Sequence, residues 1–206
     1  MLQSWLPPST GRSAFSTFHH GMRLYKDDRG LCRRVARFVH AGLLADQPAV
    51  VIATAPHVTG IRRELETLGR NAAELEASGE LQCLDAPSLL ETFMVNGQPD
   101  LERFRSGARE LLRAARRGRD EATVYLYGEM VDLLWQAGQA DAALRVEVLW
   151  SQLAAVESFS LLCGHAVGNF YQGRGLEALC ALHTHVEPTL LEPIPSLRTD
   201  PLQKRP

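Results

Sequence analysis

Two kinds of hydrophobic pattern alternate along the chain. Short, nearly continuous apolar runs occupy residues 18–25, 49–55 (AVVIATA), 81–84, 123–127 (TVYLY) and 159–163, and between them apolar residues recur every three or four positions. Such runs read as strands and such spacing as amphipathic helix. The run 49–55 is apolar throughout, as a strand covered on both faces should be.

Three helical patterns stand out. Residues 29–44 place Leu31, Val35, Phe38, Val39 and Gly42 on one face, with Arg33, Arg34 and Arg37 opposite. Residues 100–117 turn Leu101, Phe104, Ala108, Leu111, Leu112 and Ala115 inward, and residues 140–156 align Ala143, Val146, Leu149, Trp150 and Leu153. Shorter helices are predicted over 58–68, closed by Gly69; 72–77, ending at Gly79; 87–93; 129–135; and 176–183. Alternating strands and helices predict an α/β domain in three layers with a mainly parallel central sheet. Residues 1–16 and 188–206, rich in Pro and poor in periodicity, read as tails around a domain at 17–187.

Charge and composition narrow the classes. A net charge of −2 offers no general attraction to nucleic acid or to an anionic membrane, so neither is an expected partner. The local run Arg113, Arg116, Arg117 and Arg119 reads as a solvated helix end. The start of the chain has no leader pattern, and no stretch approaches the roughly 18 apolar residues of a membrane span. The four cysteines, Cys32, Cys83, Cys163 and Cys180, are widely separated and read as small core hydrophobes, which fits a reducing cytoplasm.

In an open parallel sheet ligands bind beyond the carboxyl ends of the strands. The polar residues expected there are Tyr25, Thr54, His57, Asp85, Glu129 and His165. Glu129 follows an apolar strand directly and precedes a helix, where it serves either as a functional carboxylate or as a cap. Trp135 and Trp150 fall on apolar stripes, either as core or as the lining of an apolar pocket.

Motifs for common chemistries are missing. The chain has two lysines, Lys26 and Lys204, and Lys26 sits beside Asp27 and Asp28, so no phosphate-cradling Walker A loop is present. There is no G-x-S-x-G elbow and no G-x-G-x-x-G fingerprint; Gly173-Arg174-Gly175 comes too late to open a βα unit. His19-His20 and His183-Thr184-His185 have no metal-ligand spacing and no Cys or carboxylate beside them, so no metal and no cofactor is expected.

A succession of segments resembles a known family. HHGMRLY, FVHAGLL, LETLG, LEASGELQCLD, YGEMVDLLWQAG, RVEVLWSQL, SLLCGH and LCALHTHVEP come in the order of the MEDS family, the sensory domain named for methanogens, methylotrophs and the dichloromethane-dehalogenase regulator. The resemblance runs from about His19 to Pro188 and implies a RecA-like fold related to circadian-clock ATPases. It also implies sensing of a small molecule, hydrocarbon derivatives among the candidates, and a regulatory protein as output. His20, Tyr25, Glu129, Trp135, Glu147, Trp150 and His183 carry over as family features without individual roles. About 16 residues precede the domain and about 18 follow it, too few for an output module, so regulation in trans is expected. Three readings stay open: a non-enzymatic sensory module, a degenerate RecA-like nucleotide-binding protein or enzyme, and an oligomeric scaffold.

Overall fold

The computed structural model describes residues 20–170 and 176–187, and within them the strand and helix alternation is present. The elements are β1 (His20–Tyr25), α1 (Asp28–Leu44), β2 (Ala49–Ala53), α2 (Ala55–Thr67), α3 (Ala72–Ser78), β3 (Leu81–Asp85) and α4 (Ala86–Phe93). A short hairpin follows, β4 (Met94–Val95) and β5 (Gln98–Pro99). The chain continues through α5 (Leu101–Arg116), β6 (Val124–Gly128), α6 (Met130–Gln136), α7 (Ala140–Ala154), β7 (Phe159–Ala166), α8 (Leu176–Leu182) and β8 (His185–Glu187). Residues 18–19 of the first predicted strand, Gly173-Arg174-Gly175 and both predicted tails lie outside the described residues.

Six strands form one parallel sheet in the order β3-β2-β6-β7-β1-β8. This is a three-layer RecA-like fold. Helices α1 and α2 cover one face, where Leu31, Val35, Phe38, Ile61 and Leu65 pack on Val51, Tyr125 and Tyr127. Helices α4 to α7 cover the other, where Phe104, Leu112, Val146 and Trp150 meet Val50, Leu126, Phe159 and Leu161. Every residue of β2 is buried, which accounts for its unbroken apolar sequence. At about 1.5–3 kcal/mol for each large apolar side chain, the two faces supply most of the driving force.

Local signals set most helix ends. Asp27, Asn71, Asp85 and Asp100 accept bonds from the third following amide and start α1, α3, α4 and α5. Gly79 ends α3 at a φ of 75°. Gly42 lies against the Tyr125 ring, 2.5 Å from where a Cβ would be, so a side chain there would separate α1 from the sheet.

Several expectations need correction. Strand β7 runs three residues past the predicted end at Cys163, which carries Gly164 and His165 into the sheet. The β4–β5 hairpin was not foreseen, although Asn96-Gly97, both with positive φ, are the residues its tight turn requires. Strand β8 lies at the sheet edge where the helix over 176–183 was to run directly into a tail. The arginine run is not merely solvated: Arg116 donates to the carbonyls of Ala122 and Ser158, Arg117 to that of Ser78, and Arg119 to that of Asp46. No helix among the described residues is long and apolar enough to cross a membrane.

Candidate functional site

At the carboxyl ends of the strands the chain brings its own polar groups together. Glu129 leaves β6 at the start of α6 and is 3% exposed. Its side chain makes no cap bond to α6, so the capping reading does not hold. Instead it crosses to neighbouring elements: the Thr54 amide donates to one carboxylate oxygen, and His57 Nδ1 (2.6 Å) and the Tyr127 hydroxyl (3.1 Å) meet the other. Three elements, the β2–α2 junction, α2 and β6, are thereby joined on one carboxylate.

A second joint lies beside the first. The Tyr25 hydroxyl donates to Asp132 Oδ2 at 3.1 Å, and the Ala166 amide and the Gln136 side chain also donate to Asp132 at 3.0 and 2.9 Å. The Tyr25 ring stands edge-on to His57, with centroids 6.1 Å apart. His57 Nε2 reaches Asp28 at 3.4 Å, so the first turn of α1 belongs to the same network. Gly164 leaves the space that Tyr127 needs, since a Cβ there would lie 2.5 Å from the phenol oxygen.

The electrostatics follow from this packing. The hydrogen bond to Glu129 raises the His57 imidazole above its ordinary value despite partial burial, with Asp28 adding to the effect. Burial, then the Asp132 charge, pushes the Tyr25 phenol far up. Burial and the Glu129 charge do the same to Tyr127, so both phenols are donors at every physiological pH. The His57–Glu129 contact is the arrangement of an acid–base dyad, but each partner is already bonded to a third group.

The six residues expected at the strand ends, and His20, the further site candidate from the family resemblance, divide. Tyr25, Thr54, His57 and Glu129 come together. Asp85 stands apart: it is exposed on the edge strand and occupied by the amide and hydroxyl of Ser88 at 3.0 and 2.7 Å as the cap of α4. His20 begins β1, about 16 Å from Tyr25 along the strand and on the opposite sheet face. His165 is near the end of β7 but faces α7. Sequence reasoning missed Asp132 and Tyr127. Tyr127 ended the fourth predicted strand, β6 here, only as a sheet residue, and the charged Asp132 two positions after Met130 in an apolar helix was a usable signal.

Between the sheet and α7 lies a second polar cluster. Glu147, fully buried, has His20 Nε2 at 3.1 Å from one oxygen and His165 Nε2 and His183 Nε2 at 3.2 and 3.5 Å from the other. Cys163 Sγ is 3.5 Å from His20 Nε2 and 3.9 Å from Glu147. Burial alone would raise the Glu147 carboxyl; the imidazoles of His165, His20 and His183 outweigh it and hold the group well below its usual range. Burial pushes His183 down to about 4, which leaves that ring neutral at pH 7. Glu147 lies on the stripe that packs Val146 and Trp150, so Cys163 is not the simple core hydrophobe expected.

Two grooves open elsewhere. One of about 750 Å³ runs between α5 and α7 past Arg105, Arg109, Arg113, Leu149 and Gln152, and another of about 360 Å³ adjoins it at Leu101, Leu144 and Val148. Trp150 packs edge-on against Phe104 and Phe159 and belongs to the core.

The family model described as the methanogen/methylotroph, DcmR sensory domain matches residues 19–184. The chain belongs to the MEDS family. No curated protein matches it in sequence. Among solved structures, it is similar to a KaiC-like protein from the hyperthermophilic archaeon Pyrococcus horikoshii, with a TM-score of 0.58 and 15% identity over 83% of this chain and 72% of that one. That likeness supports the RecA-like fold of this MEDS domain.

Proposed function

We infer that this MEDS domain is a non-enzymatic sensory module that binds a small molecule at the strand ends and regulates a separate output protein in the cytoplasm. The family supports a sensory and regulatory role. The observation that carries the strand-end assignment is the Glu129 joint, a buried carboxylate that ties Thr54, His57 and Tyr127 from separate elements. A ligand carrying its own donors and an apolar body can replace these partners, release α2 from α6 and shift the outer helices between two arrangements. The buried rings of Tyr25 and Tyr127 pack beside these polar groups, a mixture that suits a small amphipathic molecule.

A second reading rests on the 2.6 Å His57–Glu129 contact, which is suited to general acid–base work on a bound nucleotide or ester. Native mass spectrometry compared with the denatured mass separates the two. The sensory reading expects an organic mass excess that is lost on denaturation, is absent from Glu129→Gln, and comes with no ATP or ester turnover. Turnover by the wild type that Glu129→Gln abolishes would overturn it in favour of the enzyme.

A further inference from the structure

We propose that His20, Glu147, Cys163 and His183 form a closed, four-ligand site for a divalent transition metal of the zinc type. Spacing along the sequence hides this set because β1, α7, β7 and the residue after α8 each supply one member. Folded, the four ligand atoms all lie within 4.8 Å of one another, and all four residues are buried.

The hydrogen bonds around the histidines decide where their lone pairs point. His183 Nδ1 lies 2.7 Å from the Leu179 carbonyl, which can only accept, so Nδ1 carries the proton. Its Nε2 is then aimed at Glu147 Oε1 at 3.5 Å, with no hydrogen-bond partner of its own. His20 repeats the arrangement. Ser151 donates its hydroxyl proton to the Leu182 carbonyl at 3.2 Å, so at 3.1 Å it accepts from His20 Nδ1. His20 Nε2 therefore faces inward, 3.1 Å from Glu147 Oε2 and 3.5 Å from Cys163 Sγ.

Two imidazole Nε2 atoms thus converge on a buried carboxylate and a thiol. Facing acceptors in a dry interior repel unless a proton or a cation lies between them. Histidines whose Nδ1–H groups are held by a carbonyl or hydroxyl, leaving Nε2 aimed inward, have the outer-shell pattern of metal ligands. The spacing is near that of a bound ion: bonds of about 2.0–2.3 Å at tetrahedral angles place ligand atoms roughly 3.3–3.7 Å apart, the contacts His20–Glu147, His20–Cys163, Cys163–Glu147 and His183–Glu147 are 3.1, 3.5, 3.9 and 3.5 Å, and the whole set spans no more than 4.8 Å. Two nitrogens, one sulfur and one carboxylate oxygen suit zinc and its borderline neighbours and do not suit calcium or magnesium. On binding, Cys163 loses its thiol proton to solvent and the sulfur binds as thiolate. His165, 3.2 Å from the outer carboxylate oxygen, orients Glu147.

With four protein ligands and no exposed position, the ion has no place for a reactive water. It pins α7 and the segment after α8 to β1 and β7. The site is independent of the strand-end reading, since its ligands lie on the other sheet face.

The purified full chain is titrated with Zn(II) and with Co(II), while circular dichroism follows its fold. Expected are one Zn(II) per chain and, with Co(II), a thiolate-to-metal charge-transfer band. Cys163→Ser should keep bound Co(II) and lose that band. His183→Ala and Glu147→Gln should weaken binding beyond the roughly 10–100-fold that outer-shell changes cost. A folded wild-type chain that takes up no metal, or binds Co(II) without a thiolate band, overturns the site, as does an affinity that Glu147→Gln leaves unchanged. The metal's small mass also separates it from any organic ligand at the strand ends.

Discussion

Glu129 and Glu147 are both buried carboxylates on the central sheet, yet their surroundings differ in sign. Glu129 receives an amide, an imidazole nitrogen and a phenol, all able to donate. Glu147 faces the Nε2 atoms of His20 and His183, whose Nδ1 atoms meet Ser151 and the Leu179 carbonyl, and a thiol at long range. A carboxylate met by donors is complete as it stands and can act as a joint between elements. One met by acceptors needs a cation. The same residue type on one fold thus provides a latch in one place and a metal-ligand geometry in another.

The largest effect that tests this contrast is metal-linked stability. At free Zn(II) about 1,000-fold above its Kd, binding contributes about 4.1 kcal/mol to folding. Chelation should remove that amount from the wild type in denaturant titrations and much less from Glu147→Gln. Without metal, Glu147→Gln should be no less stable than wild type, because its amide offers the donor that His183 Nε2 lacks. A marked destabilisation there would mean that protonated histidines already satisfy Glu147.

Next in size is Glu129→Gln. The amide keeps one acceptor but sets a donor against either the Thr54 amide or His57, which should cost about 1.5–3 kcal/mol, the range of a hydrogen bond to a charged group. Urea midpoints would measure it, and metal content should stay at the wild-type level. Loss of metal in this variant would show that the two regions are coupled.

The smallest effect is a pH slope. His57 is raised above its ordinary value of about 6.5 by Glu129, so the folded state binds the proton more tightly than the unfolded chain. Its contribution is full below about pH 6.5 and declines as pH rises through the raised folded value. Stability followed from pH 6 to 9 should fall for this reason in the wild type, and the fall should be weaker in both His57→Gln and Glu129→Gln. An equal slope in all three would assign it to other groups.

The legibility of each region follows from the range of its interactions. Strand and helix order depends on residues close in sequence and was readable from periodicity, whereas Asp85, expected at the ligand site, is the cap of α4. Half of the strand-end network was readable too, because Tyr25, Thr54, His57 and Glu129 each follow or end a strand in a parallel sheet. Asp132 and Tyr127 were passed over because their partners lie on other strands and helices. Glu147 left a trace as a charge between Val146 and Trp150 on an apolar stripe, and His20 and His183, which like Glu147 carried over from the family resemblance without roles, had no metal-ligand neighbours in the sequence.

By itself the sequence determined the α/β class, the order of the elements, the missing phosphate loop and the apolar faces, since each depends on local period and residue type. The tertiary structure alone decided that β1 lies between β7 and β8. That placement brings His20, Cys163, His165 and His183 around Glu147, although more than 160 residues separate His20 from His183. Strand order and side-chain facing are set by packing over long chain separations, and no local spacing encodes them.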